Sequence, residues 1–306
     1  MWIRRGAAGI NRKLLQMMTI SVLSAAKINL YLDVIRRMDD GFHEIETLFQ
    51  PISLWDRLTI TAIPRGIEVS GDYPTVPWNE NNLCYRSAKI LFDTVGFDAG
   101  TRIEVQKEIP PGAGLGGGSS NAAATLVGLN YLFNFGLSSG ELLELARKLG
   151  SDVPFFVMGR PAIGRGRGDI LEEVEGLEKG WVLIVKPPAT ISTNWAYQNL
   201  NLRLTRCCDK DKLNKLIEGL KDFPDRALET WNSFIEVIAE KYPEVCELLT
   251  SLQDEGAILS SLSGSGSACF ALFSEESRAK EVRWLFIGKE YYTRIARPVS
   301  QAIKLL

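Results

Sequence analysis

Several patterns that would define a class of protein are missing from this chain of 306 residues. It contains a single histidine, and its five cysteines are odd in number and form no Cys-x-x-Cys pair. Neither a zinc site nor a disulfide framework is therefore indicated, and we expect a reduced, cytoplasmic setting. No apolar run approaches the roughly 18–20 residues that span a bilayer, so we predict no membrane-embedded segment.

An excess of charge of one sign is also missing. The chain has 35 Lys and Arg against 37 Asp and Glu, a net charge of −2. Because no stretch resembles an RNA- or DNA-reading module either, we predict no nucleic-acid partner. A hydrophobic content of 45% is that of an ordinary globular protein. Residues 1–18 are locally basic and have no acidic residue; we interpret them as an N-terminal extension, with Met17 or Met18 as an alternative translation start.

What the chain does have is a glycine-rich stretch at residues 110–121, Pro-Pro-Gly-Ala-Gly-Leu-Gly-Gly-Gly-Ser-Ser-Asn, running directly into an alanine-rich segment. Glycine permits positive φ and close approach of a ligand to the backbone. The following helix would aim its amide dipoles back at the loop. Because the stretch lies between a strand-like segment and this helix, we interpret it as a cradle for a phosphate rather than as a flexible linker.

Two standard nucleotide motifs can be compared with this stretch. It contains no Gly-x-x-x-x-Gly-Lys-Ser/Thr, which excludes a Walker-type loop. The pattern Gly112-x-Gly114-x-x-Gly117 does match the dinucleotide fingerprint. However, two prolines separate it from the strand, and no acidic residue ends a second strand about 20 residues later. A Rossmann domain, and with it a nicotinamide oxidoreductase, is therefore disfavoured.

The remaining pattern mixes strands and helices. Residues 21–34 alternate between apolar and polar side chains and predict a half-buried strand, with Lys27 and Asn29 on its polar face. An Asp-Asp-Gly turn at 39–41 predicts a returning strand. Asn82 and Ser138 or Ser139 are helix N-cap candidates. The C-terminal half predicts an α+β arrangement with an antiparallel sheet, in which two strands flank a second glycine-rich loop at 262–267. Before that loop, the pattern predicts helices at 210–221 and 226–252, the second with a break near Pro243.

Three separated stretches together resemble the motifs of the GHMP kinases, in the family's order. They are Lys-Ile-Asn-Leu at 27–30, the loop at 110–121 and the loop at 262–269. The runs Asp-Gly-Phe-His at 40–43 and Gly-Ser-Asp-Val-Pro at 150–154 are most similar to the members that phosphorylate a methylerythritol linked to cytidine diphosphate. The third motif departs from the pattern, since Ser267 stands where the family usually has proline.

The resemblance implies an α+β, two-domain GHMP kinase fold. It implies a ribosomal protein S5-like N-terminal domain with a left-handed crossover, expected over residues 19–165. It also implies a ferredoxin-like C-terminal domain, expected over residues 166–306. The expected partner is a small-molecule substrate rather than nucleic acid or membrane, and the expected protein is a cytoplasmic monomer or weak homodimer. The implied cofactors are ATP and Mg²⁺.

The same resemblance assigns roles to individual residues. Asp152 corresponds to the catalytic acid-base residue and Lys27 to the lysine paired with it, which agrees with the need for a carboxylate beside the reacting hydroxyl. The residues expected to bind substrate are Asn29, Phe42, His43 and Tyr197. The residues expected to bind the ATP phosphates are Pro110, Pro111, Gly112, Ala113, Gly114, Leu115, Gly116, Gly117, Gly118, Ser119 and Ser120. Ser119 or Ser120 is also a candidate for the Mg²⁺ shell.

Simpler interpretations compete with these roles. Asp152 alone would be a helix cap, Lys27 a solvated lysine and His43 a structural residue, while Arg165 and Arg167 would belong to a solvated loop that could also attract anionic substrates. Two other functions stay open besides the disfavoured nicotinamide oxidoreductase. One is another GHMP kinase, of the homoserine or mevalonate type. The other is a non-catalytic nucleotide-binding protein.

Overall fold

A computed structural model describes residues 18–200 and 211–306, which form two β-sheets with helices packed on them. The first sheet has seven strands. They are β1 (Thr19–Arg37), β2 (His43–Ile63), β3 (Ile67–Gly71), β4 (Gly100–Gln106), β5 (Ala162–Arg165), β6 (Ile170–Glu173) and β11 (Ile303–Leu305). Their order is β11-β1-β2-β4-β3, with β5 also pairing with β2, and β6 with β5.

The helices of the N-terminal half pack on this sheet. They are α1 (Leu83–Val95), α2 (Gly117–Leu132), α3 (Ser139–Arg147) and α4 (Val153–Met158). Two predicted caps are confirmed: the Asn82 side chain accepts from Cys84 N at 2.9 Å, and Ser138 forms a capping box with Glu141. β3 and β4 are parallel and the other pairs of this sheet are antiparallel. The sheet is therefore not the parallel sheet of a dinucleotide-binding domain; the handedness of the β3–β4 crossover stays a prediction.

The second sheet has four antiparallel strands in the order β10-β7-β9-β8. These strands are β7 (Trp181–Lys186), β8 (Leu259–Leu262), β9 (Cys269–Phe273) and β10 (Tyr292–Ala296). The helices are α5 (Thr193–Gln198), α6 (Lys212–Lys221), α7 (Phe234–Lys241), α8 (Pro243–Asp254) and α9 (Glu276–Trp284). Along the chain, one strand is followed by helices, two strands, a helix and a last strand. This order is the split βαβ arrangement of a ferredoxin-like domain, as expected.

The two sheets share an apolar core. Ile28, Leu30 and Ile52 of the first sheet belong to the same buried cluster as Val182 and Phe270 of the second. The prediction that β1 is half-buried is wrong, because both of its faces are buried from Ser24 to Val34. The polar face of β1 is covered by segments far away in sequence. The predicted boundary at residue 165 stays a prediction, although β6 and β11, which follow it, join the first sheet.

Candidate active site

The first element of the site is the amino end of α2, which emerges from the glycine-rich loop. Gly116 occupies the N-cap position with φ +72°, and no side chain caps the helix. The first backbone hydrogen bond runs from Ser120 N to Gly116 O. The N–H groups of the first turn therefore point out of the helix end without an intrahelical acceptor, which is the arrangement that binds phosphate.

The two glycine-rich loops lie against each other and against β1. Lys27 N donates to Leu115 O at 3.0 Å, Ala268 N donates to Ala113 O at 3.1 Å, and the Ser263 hydroxyl donates to Gly114 O at 2.9 Å. A Cβ on Gly114 would lie only 1.9 Å from Ser263 O. Glycine is therefore required at residue 114 by the contact between the loops. The three motifs that are separated in sequence meet at this point.

The predicted phosphate-binding residues divide by burial. Gly112, Gly114, Gly116, Gly118 and Ser119 are exposed or half-buried, while Pro111 is half-buried at the loop's start. The remaining ones, Pro110, Ala113, Leu115, Gly117 and Ser120, are buried. The side chains of Ala113 and Leu115 belong to the apolar core between the sheets, so they anchor the loop and leave only backbone groups for a ligand.

The second element is a polar chain that runs across β1 and β2 to the start of α4. The Lys27 Nζ donates to Asn29 Oδ1 at 2.5 Å and lies 3.9 Å from Asp152 Oδ2. Asn29 Nδ2 donates to the Thr47 hydroxyl at 2.7 Å, and that hydroxyl donates to Tyr31 O at 2.6 Å. Each polar group is thereby oriented by the next, ending at the carboxylate of Asp152.

Lys27 is buried, so the solvated-lysine interpretation does not hold. Burial lowers the pKa of the Lys27 ammonium, and the neighbouring Asp152 carboxylate opposes part of that shift. The cap interpretation of Asp152 does not hold either. Asp152 does precede α4, but its side chain makes no capping hydrogen bond, and 35% of it is exposed. Its carboxylate is available to a ligand.

The third element lies at the far end of the same cleft, where His43 and Tyr197 are in contact. Their ring centroids are 4.8 Å apart, and Tyr197 in turn packs edge-on against Phe234 at 4.9 Å. Burial, and next the charge of Arg37, lowers the pKa of His43, so its imidazole is neutral at pH 7 and offers one donor and one acceptor. Burial raises the pKa of Tyr197, which keeps its hydroxyl protonated.

Phe42 lies beside His43 and is half exposed. The guanidinium of Arg167 stacks on its ring, with Cζ 3.8 Å from the centroid, and is held there by an ion pair with Asp40. The contact with Arg167 lowers the pKa of the Asp40 carboxyl. The loop that contains Arg167 is therefore ordered against the cleft instead of being merely solvated.

These elements line one cavity of ≈ 780 Å³ between the two sheets. The predicted residues that line it are Lys27, Asn29, Phe42, His43, Gly114, Gly116, Asp152 and Tyr197. The predicted loop residues that do not line it are Pro110, Pro111, Gly112, Ala113, Leu115, Gly117, Gly118, Ser119 and Ser120. The structure thus brings the lysine–aspartate pair, Gly114 and Gly116 of the glycine-rich loop, and the aromatic end into one cleft.

The sequence patterns assigned no site role to two residues that hold this site together. Thr47, which follows the Asp-Gly-Phe-His run on the same strand and belongs to the family pattern, fixes the Asn29 amide. Asn232 has no motif to mark it. Its buried side chain donates to Leu262 O at 2.8 Å and Gly264 O at 3.0 Å, and so attaches the second glycine-rich loop to the segment that lies beside β1.

The described residues contain no group of three or more His, Cys, Asp or Glu side chains arranged to hold a metal ion. One feature nevertheless fits a cation carried by a phosphate ligand. The Ser120 hydroxyl is buried in the first turns of α2 and has no hydrogen-bond partner. Ser119 beside it is half-buried, so the first turn of α2 offers an accessible hydroxyl to a metal that is bound mainly by phosphates. Across residues 18–200 and 211–306, no helix is long and apolar enough to cross a membrane.

Both halves of the chain match family models. Residues 82–160 match the GHMP kinases N terminal domain, and residues 212–283 match the GHMP kinases C terminal. The fold agrees with a crystal structure of 4-(cytidine 5'-diphospho)-2C-methyl-D-erythritol kinase, with a TM-score of 0.78 and 33% identity over 90% of this chain and 98% of that one. A homoserine kinase from Cytophaga hutchinsonii, at 19% identity and a TM-score of 0.74, shares the fold alone.

Curated relatives are closer in sequence. A 4-diphosphocytidyl-2-C-methyl-D-erythritol kinase from Syntrophotalea carbinolica is 41% identical over 85% of this chain and 91% of its own length. One from Geobacillus kaustophilus is 40% identical over 87% and 92%. The chain therefore belongs to the GHMP kinases, in the family of the 4-diphosphocytidyl-2-C-methyl-D-erythritol kinases.

Proposed function

We propose that this protein transfers the γ-phosphoryl group of ATP to the 2-hydroxyl of 4-diphosphocytidyl-2-C-methyl-D-erythritol, a step of the non-mevalonate route to isoprenoids. The observation that carries the proposal is the placement of Asp152 and Lys27 in the cleft into which the loop before α2 opens. A phosphoryl donor held at the helix end and an acceptor held against Asp152 would meet in that cleft. The family and its close relatives support the same activity.

In this mechanism the amides at the start of α2 hold the ATP phosphates, and the Asp152 carboxylate receives the proton of the attacking hydroxyl. Lys27, fixed by Asn29, keeps the carboxylate in place and adds positive charge where the transferred group carries negative charge. Because phosphoryl transfer depends mainly on positioning and charge neutralisation, the polar chain from Thr47 to Asp152 is itself part of the catalytic apparatus.

Mg²⁺ would be held mainly by the ATP phosphates, with Ser119 or Ser120 as the hydroxyl ligand from this chain. When bound, it neutralises charge on the β- and γ-phosphates.

The aromatic end of the cleft would bind the cytidine. Phe42 offers a ring face for stacking, and replacing the tyrosine usual in the family with phenylalanine keeps that face. A neutral His43 can read one donor and one acceptor on the base edge, and Tyr197 supports the His43 ring. Arg167, stacked on Phe42, adds positive charge near the position of an anionic substrate.

We further propose that the protein acts in the cytoplasm as a monomer or weak homodimer on this small-molecule substrate alone, without a nucleic-acid or membrane partner. The near-neutral net charge supports the absence of a polyanionic partner.

The test is ADP release with ATP and Mg²⁺ in the presence of 4-diphosphocytidyl-2-C-methyl-D-erythritol, homoserine or mevalonate. We expect turnover with the cytidyl acceptor alone. In the variant His43→Phe, which keeps an aromatic ring beside Tyr197 and removes both ring nitrogens, the KM for that acceptor should rise about 10- to 100-fold while the KM for ATP stays unchanged, because only the base loses a hydrogen-bond partner. A preference for homoserine or mevalonate would overturn the substrate, and no turnover with any acceptor would indicate a non-catalytic nucleotide-binding protein.

A further inference from the structure

A buried charged cluster lies behind the phosphate loop, on the side away from the cleft. The Asp56 carboxylate on β2 is fully buried and forms an ion pair with the Lys107 ammonium, which is itself almost fully buried. Asn121, on the second turn of α2, is buried beside them. None of the three residues lines the cavity of the active site. Burying a charge pair is costly, so a specific use for it is to be expected.

The hydrogen bonds of Asp56 connect both ends of the loop. At the loop's start, Glu108 N and Ile109 N donate to Asp56 Oδ1 at 2.8 and 2.9 Å. At its far end, Asn121 Nδ2 donates to Asp56 Oδ2 at 2.9 Å and to the Ser24 hydroxyl at 2.8 Å. One carboxylate on a central strand therefore fixes where the loop leaves the sheet and where the helix begins.

Lys107 is the third member of the cluster and lies against the amino end of α2. Its Nζ donates to Asn121 Oδ1 at 3.0 Å, and a Cβ placed on Gly117 would lie 3.4 Å from the same nitrogen. The ammonium thus lies directly beneath the first turn of α2. Its charge is neutralised by Asp56, so it supports the turn without serving as an open anion site.

We infer that Asp56, with Lys107 and Asn121, is a positioning cluster that sets the amide groups at the start of α2 against the phosphates of ATP. The inference rests on the proposed function, because it concerns the same phosphate loop. None of the three residues lines the cleft, so we expect them to act through the loop and not by contact with a ligand. Their effect is to fix the distance between the loop's two ends, so their loss should appear in the affinity for ATP before it appears in the affinity for the acceptor.

The test measures binding of ATP with Mg²⁺ by calorimetry without an acceptor, followed by KM values for both substrates. For Asp56→Asn we expect ATP to bind at least about tenfold more weakly, since the loss of one hydrogen bond from an amide to a charged phosphate weakens binding by roughly tenfold or more. The KM for the acceptor should change little. Thr101→Val is the matched control, because Thr101 is equally buried on the β2–β4 pair, hydrogen-bonded to Thr61 O, and remote from the loop.

Because Asp56→Asn leaves a buried ammonium unpaired, a second variant separates positioning from stability. Asp56→Asn combined with Lys107→Met removes both charges and should recover thermal stability while ATP binding stays weak. Normal ATP affinity in this double variant would overturn the inference. So would an Asp56→Asn protein that loses affinity for ATP and for the acceptor to the same extent, and no more than Thr101→Val does. In either case the cluster would be purely structural. Wild-type protein that binds ATP but does not phosphorylate the cytidyl acceptor would refute the proposed function. The calorimetric comparison of ATP binding would still test this inference, because it needs no acceptor.

Discussion

Lys27 and Asp152 come from elements of different kinds, and the fold gives each side chain a different environment. Lys27 lies in the middle of a long strand and is buried, whereas Asp152 stands at the first turn of a short helix and opens toward the cleft. A buried ammonium next to a partly exposed carboxylate is a strong candidate for a functional pair, because a structural ion pair would close the distance of 3.9 Å.

The lowered pKa of Lys27 predicts the alkaline side of the pH profile. If the ammonium is required, kcat/KM falls as the pH rises through a pKa below the ordinary value of 10.5. The free energy of unfolding should change with pH in the opposite direction. Between the lowered pKa and 10.5, the unfolded chain binds more protons at Lys27 than the folded chain does. Lys27 therefore makes the free energy of unfolding rise with pH in this range. The measurement is kcat/KM against pH for wild type and for Lys27→Arg.

In Lys27→Arg the guanidinium stays charged over the whole range, so the alkaline limb should move to higher pH even though the rate is reduced. The same limb in both proteins would show that another group titrates and that the Lys27 charge is not required.

At the scale of elements, the site depends on contacts between loops. Gly112 and Gly114 both have positive φ, +64° and +80°, but a Cβ on Gly112 would meet nothing within 4 Å, whereas one on Gly114 would collide with Ser263 O. Comparing alanine substitutions at the two glycines therefore separates the cost of backbone strain from the cost of breaking the contact between the loops.

We predict that Gly112→Ala costs roughly 1–2 kcal/mol of unfolding free energy, the strain of a left-handed residue alone. Gly114→Ala should cost at least twice as much and also weaken ATP binding, because the two glycine-rich loops must move apart. Urea denaturation of both variants measures the difference. Equal costs would mean that the contact between the loops does not hold them together.

Local sequence patterns were sufficient to predict most of the helices and strands and to single out the motif residues that line the cleft. Strand alternation predicted β1, the caps at Asn82 and Ser138 are confirmed, and the break near Pro243 falls between α7 and α8. The burial of both faces of β1 was not predictable, because its polar face is covered by residues far away in sequence, such as Ser233, which lies 200 positions from Asp33 and donates to it at 3.0 Å.

The same limit applies to the predicted helix at 226–252. The structure begins it only at Phe234, and the residues before it lie beside β1, where Leu32 N donates to Trp231 O at 2.8 Å. Helical periodicity cannot show that a segment is recruited to a remote strand. Asn232 and β11 were missed for this reason, since each acts only through a partner distant in sequence.

At the scale of the whole molecule, residues 302–305 return to the N-terminal sheet and contact both elements that carry the lysine–aspartate pair. β11 pairs with β1, which carries Lys27. Just before it, Ala302 O accepts from Ala25 N at 2.8 Å, and Ala302 N donates to Gly159 O at 2.8 Å. Gly159 ends α4, the helix that Asp152 precedes. One short segment therefore connects the two halves of the lysine–aspartate pair.

Removal of residues 301–306 should cost about 2 kcal/mol or more of stability, from the lost backbone hydrogen bonds and the burial of Ala302. It should also lower kcat. The control is Gln301→Ser, a side-chain change at an exposed position of the same segment, expected within about 0.5 kcal/mol of wild type. Thermal unfolding and kcat are measured together. A truncated protein with unchanged unfolding temperature and activity would refute this coupling.

The most direct measurement of the central claim is the rate of phosphorylation of 4-diphosphocytidyl-2-C-methyl-D-erythritol by Asp152→Asn. The substitution keeps the shape of the side chain and removes the proton acceptor, so we expect kcat to fall about 10²- to 10⁴-fold with the KM for ATP little changed. That result would establish the cleft between the two sheets as the place of phosphoryl transfer. A kcat within about tenfold of wild type would contradict it, because general-base catalysis by a positioned side chain contributes more than that.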